Sequence, residues 1–238
     1  IIRNESIGIY SWDNKDRTTG AETDYGKNDW TTSRLNYLLN PGHDSESIGG
    51  SLYYNAKSGT CYYGKNNATT SCDFTSTGLK NDTTRNAIES VVWNLGGVSS
   101  TASPASTFYT GERGTVGYSN HATTWTGKIG LMYPSDYGYA TTGGSSTSRV
   151  TCLSTNLYVW NSSSGCYGND YLYKRSAQWT LAPLSGRAYS VFNGDLYGYV
   201  DDSPASSTFS VRPALYLKSS VSVVDGNGTS TSPYKLEM

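Results

Sequence analysis

Trp179-Thr-Leu-Ala-Pro183, Gly198-Tyr-Val200 and Val211-Arg-Pro-Ala-Leu-Tyr-Leu-Lys218 follow one another in the last third of the chain. Each stretch is short and contains aromatic or branched apolar residues, and polar or Gly-rich segments separate it from the next. This pattern is typical of strands. Residues 189–192 show the same pattern between the first two stretches. The end of the chain is therefore predicted to supply most of a sheet.

Two segments in the first hundred residues have the apolar spacing of amphipathic helices. The first covers about residues 29–39, begins at an Asn or Asp cap and ends at Asn40-Pro-Gly42. The second begins after Asp82, and Gly96-Gly97 ends it. Its apolar residues recur at three and four positions, at 87, 88, 91, 92 and 95.

The remaining segments predict short strands and long polar loops. Asp225-Gly-Asn-Gly228 predicts a hairpin turn between two of these strands. The further strands are predicted at residues 7–12, 52–54, 127–133, 157–160, 221–224 and 234–236. Long ordered loops are predicted at 98–124, 138–150 and 161–176. Early helices with a late sheet predict an α+β fold, and we expect a single domain over residues 1–238.

The composition is neutral and polar. Only 16% of the 238 residues are charged, the formal net charge is −1, and 80 residues are Ser, Thr or Asn. Lys and Arg are not clustered, which argues against a nucleic-acid partner. The longest apolar runs span only a few residues, as in Val91-Val-Trp93, so no direct membrane insertion of this segment is expected.

The four cysteines form two close pairs in the sequence. Ten residues separate Cys61 from Cys72, and thirteen separate Cys152 from Cys166. Neither spacing is that of a zinc site, and each pair brackets a segment rich in Gly, Asn and Ser. We predict the local disulfides Cys61–Cys72 and Cys152–Cys166 and hence an oxidising, extracytoplasmic compartment. Four free thiols in a cytosolic protein are the alternative.

The sequence opens directly on a strand-like segment. Ile1-Ile-Arg-Asn-Glu-Ser-Ile-Gly-Ile-Tyr10 carries no signal peptide. We therefore expect a mature or trimmed form, in which any segment that exports or anchors the protein lies upstream.

The C-terminal segments quoted first, together with Gly127-Lys-Ile-Gly-Leu-Met-Tyr-Pro-Ser-Asp-Tyr-Gly-Tyr139, resemble C-type-lectin-like domains. More narrowly, they resemble a bacterial domain family found in surface and pilin-like proteins of gut Firmicutes and Mollicutes. The resemblance implies two helices packed on a small mixed or antiparallel sheet, with long ordered loops. It also implies that the loops and late strands form a ligand face.

The resemblance extends to the variable proteins of diversity-generating retroelements, whose variable residues lie between a Trp-containing strand and a Gly-rich closing strand. Here that interval is residues 187–209. Tyr combined with Ser, Gly and Asn is also the composition of antibody paratopes. The ligand-binding residues implied are Arg187, Tyr189, Asn193, Asp195, Tyr197, Tyr199, Asp201, Asp202 and Phe209.

These observations predict an extracellular, adhesin-like module at the cell surface that binds a protein or a glycan on another cell, without catalysis. No cofactor and no metal are expected, because Asp225-Gly-Asn-Gly228 lacks the downstream Glu of a calcium loop. One alternative is a structural subunit of a pilus or other surface filament, whose partners are neighbouring subunits. A second is a glycoside-active enzyme, with carboxylates drawn from Asp136, Asp195, Asp201 and Asp202.

Overall fold

The computed structural model describes residues 1–14, 25–160, 164–168, 170–229 and 231–237. Within these ranges the chain is a mixed α+β structure, as predicted. The helices are α1 (Arg34–Leu39), α2 (Asp82–Ala87), α3 (Ala105–Glu112), α4 (Pro134–Tyr139) and α5 (Arg149–Ser154), with 3-10 helices η1 (Trp30–Thr32) and η2 (Leu157–Val159). The strands are β1 (Ile9–Ser11), β2 (Ser58–Tyr62), β3 (Thr69–Asp73), β4 (Val91–Asn94), β5 (Thr124–Gly127), β6 (Ile129–Gly130), β7 (Gln178–Pro183), β8 (Ser190–Gly194), β9 (Val200–Pro204), β10 (Thr208–Ser210), β11 (Ala214–Leu215), β12 (Ser222–Asp225) and β13 (Lys235–Glu237).

Five strands form the main sheet, in the order β1-β10-β7-β8-β9. Strand β10 is antiparallel to β1 and parallel to β7, and β7, β8 and β9 are antiparallel to one another in turn. The pairs β2-β3, β4-β5, β6-β11 and β12-β13 are separate two-stranded sheets. The first strand of the chain therefore pairs with a late one, and the strands predicted from the C-terminal third occupy most of the main sheet.

Both faces of the main sheet are covered, because β7 and β8 are buried along their whole length. Side chains alternate between the two faces of a strand. Trp179 and Leu181 belong to one core, whereas Ala182 and Phe192 belong to a second. The first core also contains Trp12, Trp30, Leu35, Leu39, Phe74 and Val191, and the second contains Phe108, Tyr137, Leu157, Trp160 and Val200.

The first predicted helix is confirmed as η1 followed by α1. Ser33 lies between them and caps α1, since its hydroxyl accepts a hydrogen bond from the Asn36 N–H at 3.2 Å. The predicted stop is also observed, and its Asn40 has a structural role. The amide of Asn40 donates to the Ile129 carbonyl at 2.8 Å and accepts from the Ile129 N–H at 3.0 Å. Asn40 thus fastens the end of α1 to β6.

The second predicted helix is correct only in its first half. Helix α2 is capped by the Asn81 side chain and ends at Ala87. Residues 91–94 form β4 instead, with Trp93 directly opposite Trp125 on β5. The β-branched and aromatic side chains of this stretch favour a strand once a partner strand is present. Of the residues at three- and four-position spacing, Ile88 and Leu95 are buried, whereas Val92 is 63% exposed, so the spacing does not mark one helical face.

Two of the predicted long loops contain helices. Helix α3 lies inside 98–124, and α5 begins inside 138–150. Thr and Gly give α3 a low intrinsic helix propensity, but it is held by packing, since the Phe108 ring lies 4.9 Å from the Phe192 ring in an edge-to-face arrangement. In the third predicted loop, residues 161–163 and 169 lie outside the described residues.

Two strand predictions are wrong, and a third is correct only in part. Residues 52–54 form turns, and the residues on either side, Ser51 and Ala56, have positive φ angles. The aromatic side chain of Tyr53 is buried in the first core, although no strand carries it. Residues 157–160 contain η2. The strand predicted at 127–133 is shortened to β6. Pro134 begins α4 directly after this segment, and the Asp136 carboxylate accepts the Tyr133 N–H at 2.9 Å.

Other strand predictions hold with altered bounds. Residues 197–199 belong to a turn, and the strand begins at Val200. Of residues 211–218 only Ala214–Leu215 form a strand, since Pro213 has no N–H to donate. The predicted hairpin around Asp225 is confirmed as β12-β13, and every residue of both strands is exposed.

Both predicted disulfides are present. Cys61–Cys72 joins β2 to β3, and Cys152–Cys166 joins α5 to the following loop. All four sulfur-bearing side chains are buried. Two disulfides in one chain indicate an oxidising environment.

Candidate functional site

The turn between β8 and β9 carries the middle of the interval that the sequence singled out. Residues 195–199 connect the two strands at the edge of the main sheet, since β9 is its outermost strand. The turn is closed by hydrogen bonds from the Asp195 N–H to the Tyr199 carbonyl at 2.7 Å and from the Gly198 N–H to the Asp195 carbonyl at 3.1 Å. The Asp195 carboxylate also accepts the Tyr197 N–H at 2.8 Å.

Tyrosines from elsewhere in the chain hold this turn in place. The Tyr137 hydroxyl donates to the Gly198 carbonyl, and the Tyr173 hydroxyl donates to the Leu196 carbonyl, each at 2.8 Å. Gly198 has φ +95°, and a Cβ at this position would lie 2.4 Å from the Tyr167 side chain. Only glycine satisfies both conditions. The turn is therefore anchored before any ligand arrives.

Three tyrosine rings meet on the outer side of this turn. The Tyr197 and Tyr199 rings are nearly parallel, with an interplanar angle of 19° and centroids 6.4 Å apart. Tyr158 of η2 lies edge-on to Tyr199 at 5.7 Å. Tyr197 is 62% exposed and Tyr158 is 46% exposed, so both present large aromatic surfaces to solvent. Exposed aromatic rings in a fixed arrangement are typical binding anchors.

Two carboxylates border these rings. Asp195 and Asp201 both raise the pKa of Tyr199, after the larger effect of its desolvation. Desolvation also raises the pKa of Asp201, and the neighbouring charges of Asp202 and Asp195 add to this increase. The Tyr199 hydroxyl therefore remains protonated at neutral pH and can donate, whereas ionised carboxylates accept. We call Tyr158, Asp195, Tyr197, Tyr199 and Asp201 the tyrosine face.

The remaining predicted residues lie around the tyrosine face or beneath it. Arg187 and Asp202 form an ion pair at 3.5 Å, in which the Arg187 side chain is 57% exposed. Asn193 is 1% exposed, and its amide donates to the Ser203 hydroxyl. The structure therefore places Asn193 inside the sheet and away from the surface.

Tyr189 and Phe209 are directed toward other parts of the protein. The Tyr189 ring packs on Tyr25 at 5.2 Å, between centroids. The Phe209 ring packs on Trp179 at 4.6 Å, on β10, which is separated from β9 by two strands. Of the nine predicted ligand residues, the structure brings Asp195, Tyr197, Tyr199 and Asp201 together.

Tyr158 was missed by sequence reasoning. It lies almost forty positions before Tyr197, in a segment predicted to be a strand, and no local pattern relates the two residues. Its neighbours Leu157 and Trp160 are fully buried, which turns the Tyr158 ring outward beside β9. Among the described residues, no cluster of three or more His, Cys, Asp or Glu has the arrangement of a metal site.

Compared with known protein families, with curated proteins and with solved structures, the chain shows no significant match to any of them.

Proposed function

We propose that the protein is a lectin-like binding module that recognises neutral oligosaccharides through the tyrosine face. The observation that supports this proposal best is the convergence of three tyrosine rings and two carboxylates on one anchored turn. Such a surface combines broad apolar contact with directional hydrogen bonding.

A sugar can make both the apolar contacts and the hydrogen bonds that the tyrosine face offers. The C–H groups of a pyranose ring can pack on the exposed ring of Tyr197, and its hydroxyl groups can donate to Asp195 or Asp201. The 16% charged composition supports a neutral ligand over a polyanion. Because the turn is already held by Tyr137 and Tyr173, little conformational entropy is lost when a ligand binds.

The C-type-lectin-like fold and the cell-surface location belong to the same proposal. The fold assignment is supported by the pairing of the first strand with β10 and by the late strands that carry the tyrosine face. The location is supported by the two disulfides. None of the helices in the described part of the chain has the length and apolar character needed to cross a membrane.

The test is binding to an array of immobilised neutral oligosaccharides. The Tyr197→Ala variant should bind the recognised sugars about tenfold more weakly, because it removes one exposed aromatic contact. Tyr234→Ala is the matched control, since Tyr234 is 59% exposed and lies on the β12-β13 hairpin rather than on the tyrosine face. Its affinity should change less than twofold.

Either of two results would count against the proposal. One is a wild-type protein that binds no oligosaccharide on the array. The other is an equal loss of affinity in the Tyr197 and Tyr234 variants. Melting temperatures of both variants should match the wild type, because both side chains are largely exposed.

A further inference from the structure

A second concave site lies away from the tyrosine face. It is a groove of about 450 Å³ between α4 and β11. Leu131, Met132 and Leu172 are buried and form its floor, and the rings of Tyr139, Tyr171 and Tyr216 line its rim. These three tyrosines are 40%, 68% and 53% exposed, so the rim is accessible to a ligand.

One wall of the groove is a continuous aromatic surface. The Trp93 ring lies 5.3 Å from the Tyr216 ring and 6.5 Å from the Tyr133 ring, between centroids. Trp93 and Tyr133 are 3% and 5% exposed, and packing fixes their orientation. The Tyr133 hydroxyl is further held by hydrogen bonds to the backbone of Asn94 at 3.0 Å. This wall is therefore rigid.

Charge at the groove comes from the Asp136 carboxylate and from the Ile1 amine, which donates to the Leu215 carbonyl at 2.8 Å. Among the described residues that line it, Asp136 alone has a charged side chain, and none is Lys or Arg. Asp136 uses one carboxylate oxygen to accept the Tyr133 N–H at 2.9 Å, which fixes the carboxylate at the start of α4. The nearby Arg113 contacts the buried Glu112 at 3.2 Å, and its guanidinium lies over the Tyr109 ring at 3.7 Å and the Tyr133 ring at 5.5 Å from the centroids.

We propose that this groove binds a small organic cation with an alkylated ammonium head, of the choline type. Aromatic faces attract a cation through their quadrupole, and an alkylated ammonium sheds water more readily than a primary amine. Asp136 supplies the opposite charge, and the apolar floor accepts the methyl groups. The volume exceeds that of a single ammonium head, which leaves room for a short neutral chain.

The test is calorimetric titration of the whole chain with choline, phosphocholine and the neutral carbon isostere of choline, in which a tert-butyl group replaces trimethylammonium. Choline should bind about tenfold more tightly than the isostere, because the two share a shape and differ in charge. Phosphocholine should bind more weakly than choline, since its phosphate meets Asp136.

Variants separate this groove from the tyrosine face. Tyr216→Leu and Tyr171→Leu should each weaken choline binding by roughly five- to tenfold, and Asp136→Asn by a similar factor, while keeping an acceptor for the Tyr133 N–H. Tyr197→Ala should leave choline affinity unchanged, and Tyr216→Leu should leave oligosaccharide binding unchanged. The proposal for the groove and the proposal for the tyrosine face can therefore be refuted independently.

Any of four outcomes would overturn the proposal. The first is that the isostere binds as tightly as choline, and the second is that phosphocholine binds more tightly than choline. The third is that neither the Tyr171 nor the Tyr216 variant changes the affinity for choline. Tyr171 is the more exposed of the two rings, so a folding defect in the Tyr216 variant would still leave the Tyr171 result decisive. Absence of choline binding at millimolar concentration would also overturn it.

Discussion

Replacing Trp179 with alanine is expected to lower the free energy of unfolding by about 4 kcal/mol. Trp179 lies on β7, is 1% exposed and packs on Phe209. Its indole N–H also donates to the Tyr10 carbonyl at 3.0 Å, which ties β7 to β1 across the intervening β10. The truncation would leave a large cavity and a buried carbonyl without its donor.

Urea denaturation measures this loss of unfolding free energy directly, provided that the m-value is the same in the wild type and the variant. Trp125→Ala is the matched control, because Trp125 is only partly buried at the edge of the first core. It should cost clearly less than Trp179→Ala. A Trp179 loss under about 1 kcal/mol would mean that the β7 face is not a packed core.

The stability of the wild-type protein should fall as pH rises from about 4.5 to about 7 because of Glu112. This side chain is 0% exposed, and burial raises its pKa from 4.5 to about 7 in spite of hydrogen bonds from Ser135 and the ion pair with Arg113. The folded state therefore holds a proton that the unfolded chain releases. This contribution to stability is fully present below the unfolded-state pKa of 4.5 and is lost as pH rises through the folded-state pKa of about 7.

The Glu112→Gln variant isolates the effect. Glutamine keeps the shape and can still accept the Ser135 N–H, but it does not titrate. Between pH 4 and pH 8 the unfolding free energy of the wild type should fall relative to the variant by roughly 3 kcal/mol. Subtracting the two curves removes the other titrating groups, which both proteins share. Parallel curves across this range would contradict the assigned pKa.

Local patterns in the sequence were sufficient for part of the fold. The first helix has an Asp cap and a Pro-Gly stop, the cysteine pairs are close in sequence, and the late strands are short apolar runs between turns. Each of these signals acts within about fifteen residues. The α+β class and both disulfides followed from them.

The errors arose where distant residues decide the local structure. Residues 91–94 form a strand because residues 124–127 pair with them, and α3 forms because Phe108 meets Phe192. Neither partner is visible from the segment itself. Propensity is a weak guide when tertiary contacts of this kind are available.

The candidate site was also predictable from the sequence only in part. Asp195, Tyr197, Tyr199 and Asp201 lie within seven positions, so one turn brings them together once it is anchored. Tyr158 joins them only through the packing of η2 beside β9. The groove lined by Trp93, Tyr139, Tyr171 and Tyr216 was not predicted at all, because its rings come from four separate parts of the chain.

Hydroxyl-radical footprinting of the tyrosines tests the central claim most directly. The probe is the neutral oligosaccharide that the wild-type protein binds most tightly on the array. We predict that saturation with this sugar slows oxidation of Tyr158, Tyr197 and Tyr199 several-fold and leaves the exposed Tyr63 and Tyr234 unchanged. Protection confined to tyrosines outside the face, or no protection while the sugar is bound, would contradict the account.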